Sequence, residues 1–175
     1  MHVHGDPMFK YKGTGTHFWI KEDVLQPLLE WRTVDGHALE LSGRTFARKS
    51  TGNQWFKQLI IAQDGDVLLD VAAQSAGNPG GPMTVKRPTS TSPAGVNITE
   101  TNERVYFESN GVAFDVKSAS AVKFDADAAR DKFHHLNLAF ASGIPRGVGA
   151  TGIFAQLAGL EPMLAATKEM LKRPS

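Results

Sequence analysis

Short apolar stretches, broken every few residues by Gly, Asp, Asn or Ser, set the rhythm of this chain. Strands bury alternate residues and reverse at residues that tolerate unusual backbone angles, so the rhythm predicts a β-rich fold. Met8–Lys12 and Thr16–Ile20 flank Gly13-Thr14-Gly15 and predict a first hairpin. His37–Phe46 carries Ala38, Leu39 and Leu41 ahead of a Ser42-Gly43 break and Phe46 behind it. Two further hairpins are sharper. Gln54–Ala62 and Val67–Ala72 enclose Gln63-Asp64-Gly65-Asp66, and Arg104–Glu108 and Val112–Val116 enclose Ser109-Asn110-Gly111. Asp-Gly and Asn-Gly accept the positive φ angles of tight hairpin turns. Val105 and Phe107 share one face of their strand, as do Val112, Phe114 and Val116, so each has one side to bury. His135–Ala141 alternates likewise, with Leu136, Leu138 and Phe140 together.

Other segments break the rhythm. Residues 74–95 are dense in Gly, Pro, Ser and Thr and predict a long loop in which only Met83–Lys86 is strand-like. Asp125–Lys132 predicts a short helix capped by Asp125. Residues 160–173 predict a C-terminal helix, with Leu160, Leu164 and Leu171 at helical spacing beside Met163 and Met170. Pro162 suits its first turn, and Lys168, Lys172 and Arg173 suit its last. No repeat, linker or β-α-β alternation divides the chain. The expectation is a single β-rich domain over residues 1–175: mainly β, an antiparallel β-sandwich-like arrangement with a short helix and a C-terminal helix.

Composition narrows the chemistry. Of 175 residues, 41% are hydrophobic, enough for a packed core. Lys+Arg 19 against Asp+Glu 18 leaves a net charge of +1, and no basic stripe accompanies Trp19, Trp31 or Trp55. Nucleic acid is therefore not an expected partner. Cys 0 removes disulfides, thiolate metal sites and a cysteine nucleophile. No apolar run reaches the roughly 20 residues of a transmembrane helix. Met1–Pro7 lacks the basic region and apolar core of a secretory leader. Asn97-Ile98-Thr99 is a glycan acceptor triplet.

Candidate chemistry is sparse. Among six histidines, His2 and His4 alternate on one side of an extended segment near Asp6. A metal site there would need distant ligands from His17, His134 or His135. Without such convergence the terminal histidines are solvated, and one of His134 and His135 faces water, because neighbours in a strand point opposite ways. Ser42-Gly43 and Ser142-Gly143 lack the glycine pattern of a nucleophile elbow. Asp64, Asp66 and Asp70, and Asp125, Asp127 and Asp131, read as solvated carboxylates. Gly147-Val148-Gly149-Ala150-Thr151-Gly152 fits a dinucleotide fingerprint literally, but without its β-α-β surroundings. No cofactor is expected.

Gly5-Asp6-Pro7-Met8-Phe9, followed by Gly13, Gly15 and Phe18, resembles the opening of a von Willebrand factor type D domain. Gly149–Leu157 (GATGIFAQL) is similar to that family's later glycine-rich stretch, above all in cysteine-poor relatives near the C-terminal end of inter-alpha-trypsin inhibitor heavy chains. Met8 stands where the family has histidine, every cysteine is missing, and the acidic calcium loop has no counterpart, so calcium is not carried over. The resemblance implies a secreted or organelle-lumenal, non-catalytic module that joins a protein partner or larger assembly, a membrane complex included. Binding is then expected on the 74–95 loop and the terminal helix. A second reading places a small apolar ligand between the sheets, lined by Phe18, Trp19, Trp31, Trp55, Phe56, Tyr106 and Phe107. A third is a metal-dependent hydrolase built on the histidines named above.

Overall fold

A computed structural model describes residues 8–11, 14–47, 52–123, 132–141 and 143–173. Strands hold 53% of them and helices 9%. In chain order the strands are β1 (Met8–Tyr11), β2 (Thr14–His17), β3 (Gln26–Arg32), β4 (Ala38–Ala47), β5 (Gln54–Gln63) and β6 (Asp66–Ala73). They continue as β7 (Met83–Lys86), β8 (Val96–Glu100), β9 (Arg104–Ser109), β10 (Val112–Lys123) and β11 (Lys132–Phe140). Two helices follow, α1 (Ile153–Leu157) and α2 (Ala165–Met170). All strands belong to one sheet in the order β3-β4-β5-β11-β10-β9-β8, with β6 and β7 branching from β5, and β1 and β2 from β11. Pairing is antiparallel throughout, except where β1 lies parallel to β11.

The sheet folds over on itself, which gives the expected sandwich-like layering from a single sheet. Trp31 of β3 is wholly buried, and its ring meets Phe107 of β9 and Phe114 of β10 edge-on, at 6.0 and 6.2 Å between centroids. Its Nε1 donates to the Ser109 carbonyl across the core at 3.2 Å. From there rings continue without interruption: Phe114 to Phe140 (5.4 Å), Phe140 to Phe154 of α1 (6.0 Å), Phe154 to Phe18 (5.5 Å) and Phe18 to Phe56 (6.0 Å). Edge-to-face and tilted pairs of this kind add to what burial alone supplies.

The three expected hairpins form as β1–β2, β5–β6 and β9–β10, the first with Thr14 and Gly15 paired in its second strand, which ends at His17 rather than running over Thr16–Ile20. Asp64 (φ 48°) and Asn110 (φ 51°) adopt the left-handed geometry that their turns require. Val105, Phe107, Val112, Phe114, Val116, Leu136 and Leu138 are buried on the shared face. Met83–Lys86 is the one strand within the 74–95 segment. Other features depart from the expectation. No break occurs at Ser42-Gly43: β4 runs straight through it. Gly43 is there because a Cβ would lie 2.6 Å from the Phe56 ring and 2.9 Å from Leu28. Strand β3 carried no alternation to reveal it, since a bulge between Pro27 and Leu29 buries both Leu28 and Leu29. The C-terminal helix is shorter than 160–173, spanning only Ala165–Met170. The Gln156 side-chain oxygen accepts from Leu164 N–H and the Thr167 hydroxyl, which holds residues ahead of α2 out of helical geometry. The helix expected at Asp125–Lys132 falls outside the described residues, apart from Lys132, which opens β11.

Trp31→Ala should lower stability by about 3–5 kcal/mol, as truncation of a fully buried aromatic does. Gly152→Ala should cost as much as ~1–3 kcal/mol, because residue 152 has φ +99° and its Cβ would sit 2.9 Å from the Leu28 carbonyl oxygen. Urea unfolding of both variants, with Val34→Ala on the exposed β3–β4 turn as the control, checks these values.

Candidate interaction surface

One end of the sandwich gathers the turns. Residues 33–37 between β3 and β4 are folded by Thr33, whose N–H donates to the His37 carbonyl and whose hydroxyl accepts the His37 N–H. The β5–β6 turn is tied to the first by Asp64. Its carboxylate accepts the Ala38 N–H at 3.0 Å and meets His37 Nδ1 at 2.6 Å, while its own N–H donates to the Ala38 carbonyl. The Ala38 N–H, and next to it the His37 ring, hold the Asp64 carboxyl below its ordinary pKa. Asp64 therefore braces two turns while its carboxylate stays exposed to solvent, as expected. The β9–β10 turn joins the same end, with the Asn110 amide donating to the Arg32 carbonyl at 2.9 Å.

Against this frame lies a groove of about 440 Å³, lined by Gln63, Asp66, Val67, Leu68, Pro88, Thr89 and Pro93. Its walls come from the β5–β6 hairpin and from the 87–95 part of the long loop. Val67 is 38% exposed and Leu68 buried, and prolines face them. The Gln63 side-chain oxygen is buried with no hydrogen-bond partner. A buried acceptor without a donor is costly to the fold. Val34, 76% exposed, projects from the turn that Asp64 braces. No sequence pattern marks this groove: its apolar residues are few and scattered, and only folding brings loop and hairpin together.

The remaining candidates are dispersed. His2 and His4 lie outside the described residues. His17 sits on β2 beside Trp19, with its Nδ1 buried and unpartnered. Among the described residues no three His, Asp or Glu side chains approach closely enough to share a metal ion. Of the 134–135 pair His135 is buried, while His134 is half-buried and lines a groove with Phe46 and Phe133. Strand β10 bulges after Ala119, and the rings reach its carbonyls: His134 Nδ1 to Ala119 O at 2.9 Å, His135 Nδ1 to Ser120 O at 2.8 Å. A carbonyl only accepts, so both rings carry their proton on Nδ1. Such bonds satisfy backbone oxygens that the bulge takes out of the ladder. His135 is buried near Trp55, whose ring in turn stacks on Phe46.

The aromatic residues proposed to line a ligand cavity are not gathered round one space. Phe18, Trp31, Phe56 and Phe107 are packed in the core, Trp55 lies on the opposite face with Phe46 and His135, and Tyr106 is on the outer surface. In the literal dinucleotide motif, Thr151 exchanges both backbone hydrogen bonds with Glu30 of β3, and Gly152 lets the chain approach β3 closely. In the C-terminal segment Leu160, Met170 and Leu171 pack on the core, while Leu164 is well exposed at 60%. No described helix is long and apolar enough to cross a membrane. No family model, curated protein or solved structure matches this chain.

Burial pushes the His135 imidazole below its ordinary value; the Ser120 bond opposes this and the neighbouring His134 adds to it. As pH falls below the ordinary imidazole value, the unfolded chain takes up this proton before the folded one does. Stability is therefore lost on acidification, and the loss stops once pH passes the lowered value. The melting temperature should fall between about pH 7 and pH 5. His135→Asn keeps a donor for Ser120 and removes the titration, so its profile should be flatter over that range. Calorimetry of the two proteins against pH checks the difference.

Proposed function

We propose that the chain is a non-catalytic protein-binding module, a peripheral subunit of a larger extracellular or lumenal assembly, built like the von Willebrand factor type D domains its opening residues resemble. One observation carries this reading: the groove at the turn end, where Val67 and Leu68 face Pro88 and Pro93. Rigid hairpins supply one wall and a proline-bearing loop the other, so the apolar contacts are presented without much ordering cost. A partner segment that presents an apolar side chain fits it. The braces at Asp64 and Asn110 hold the flanking turns in place.

Val67→Arg places a charge in the groove at a position already 38% exposed, so the fold should survive. Full-length chain immobilised and passed through extract of its native source should retain a stoichiometric partner. Val67→Arg should weaken that retention about tenfold or more, the scale of a central interface residue. Equal retention by both proteins, or a chain that remains a partner-free monomer at its native concentration, would overturn the reading.

A further inference from the structure

We infer that Asn97 is an N-glycosylation site whose first sugar packs on the ring of Tyr106. Strand β8 closes one end of the sheet path and so offers an open edge. Along it Val96 turns inward and is buried, while Asn97 and Thr99 are both exposed on the outer face. The register sets Asn97 opposite Glu108 and Thr99 opposite Tyr106. Asn97 and Tyr106 are thus diagonal neighbours on one face, a spacing of roughly 7–8 Å that long side chains span. Tyr106 is 37% exposed, a large aromatic among polar neighbours. Across from it on β10 lies Asp115, which pairs with Arg104 at 3.6 Å. A pyranose ring carries a face of C–H groups. Laid on Tyr106, that face removes apolar surface of both partners from water.

The donor is a lipid-pyrophosphate oligosaccharide. The Asn97 side-chain nitrogen forms a bond to the anomeric carbon of its first sugar, the carbon–oxygen bond to pyrophosphate breaks, and the lipid pyrophosphate leaves. The nitrogen loses one proton and keeps the other. In the unmodified chain that nitrogen donates to Glu108 Oε2 at 2.8 Å, and the retained N–H leaves this bond available. Glu108 also accepts the Gly111 N–H at 3.1 Å, so the carboxylate stays fixed beside the modified residue. A hydrated glycan here would also shield the β8 edge, which has no proline or lysine within Val96–Glu100 to discourage strand pairing with another chain.

This inference rests on the extracellular or lumenal part of the proposed reading, and its test separates the two. The full chain is sent through a eukaryotic secretory pathway with an added leader, then treated with a peptide N-glycosidase. A mobility shift with conversion of Asn97 to aspartate is expected, abolished in both Asn97→Gln and Thr99→Ala. The glycosylated protein should melt at a higher temperature than the unmodified one, and Tyr106→Ala should keep the glycan but erase that gain. No occupancy on folded secreted protein, or a thermal gain that survives Tyr106→Ala, would overturn the inference. The same digestion on fractionated native material locates the failure. An unmodified Asn97 on chain recovered from a secretory lumen overturns the site and leaves the binding reading standing. Chain found only in cytosol overturns the inference through the compartment.

Discussion

Trp31 is the contact on which the layering depends. It sits on the first strand of the sheet path and reaches Phe107, Phe114 and the Ser109 carbonyl on strands near the other end. A curled sheet of this width would otherwise leave its concave face open to water. The indole fills the space between layers, and its one polar atom finds an acceptor there, which an all-apolar side chain would leave unmet. The ring series from Phe114 through Phe154 to Phe56 extends the same solution along the core. Helix α1 takes part by inserting Phe154, wholly buried, among Phe9, Phe18 and Phe140.

Much of this fold was legible where local chemistry and burial agree. The Asp-Gly and Asn-Gly turns identify their hairpins because positive φ is demanded at those residues and one face of each strand is apolar. Strand β3 was not legible, since a bulge turns two successive leucines inward and erases the period of two. Strand β8 was hidden for a different reason: it is five residues long at an edge, and only Val96 is fully buried. Helix α1 has a single turn and borrows its stability from the core around Phe154. The true length of α2 depends on Gln156, a residue whose tertiary role no local pattern announces.

The candidate surface was legible only as a region. Composition marks residues 74–95 as loop, and loops carry recognition on many scaffolds. What makes a groove is the pairing of Pro88 and Pro93 with Val67 and Leu68, which are distant in sequence. The histidines show the opposite case, in which residue type invites a chemical role and geometry supplies a structural one. His134 and His135 are neighbours on β11, yet each serves a successive carbonyl of one bulge. Alternation still shows in their burial, His135 being enclosed and His134 half-buried.

Strand β5 is the hinge of the whole arrangement, with β4 along one side and both β6 and β11 sharing the other. The β3–β7 block and the β8–β11 block are each stitched by neighbouring hairpins, whereas they are joined only sparsely, among the described residues by Leu136 opposite Phe56 and by the bridge of Ser75 to Phe133. Trp31 and Ser109, whose contact closes the layers, are 78 residues apart. On a ribosome the first block can therefore form its local pairs early, while its concave side stays uncovered until β9 to β11 emerge. Loop closure over that distance delays completion more than it weakens the finished fold. The half-made chain presents Trp31, Leu39 and Leu41 to its surroundings during that interval, and this is the stage at which a chaperone would find it.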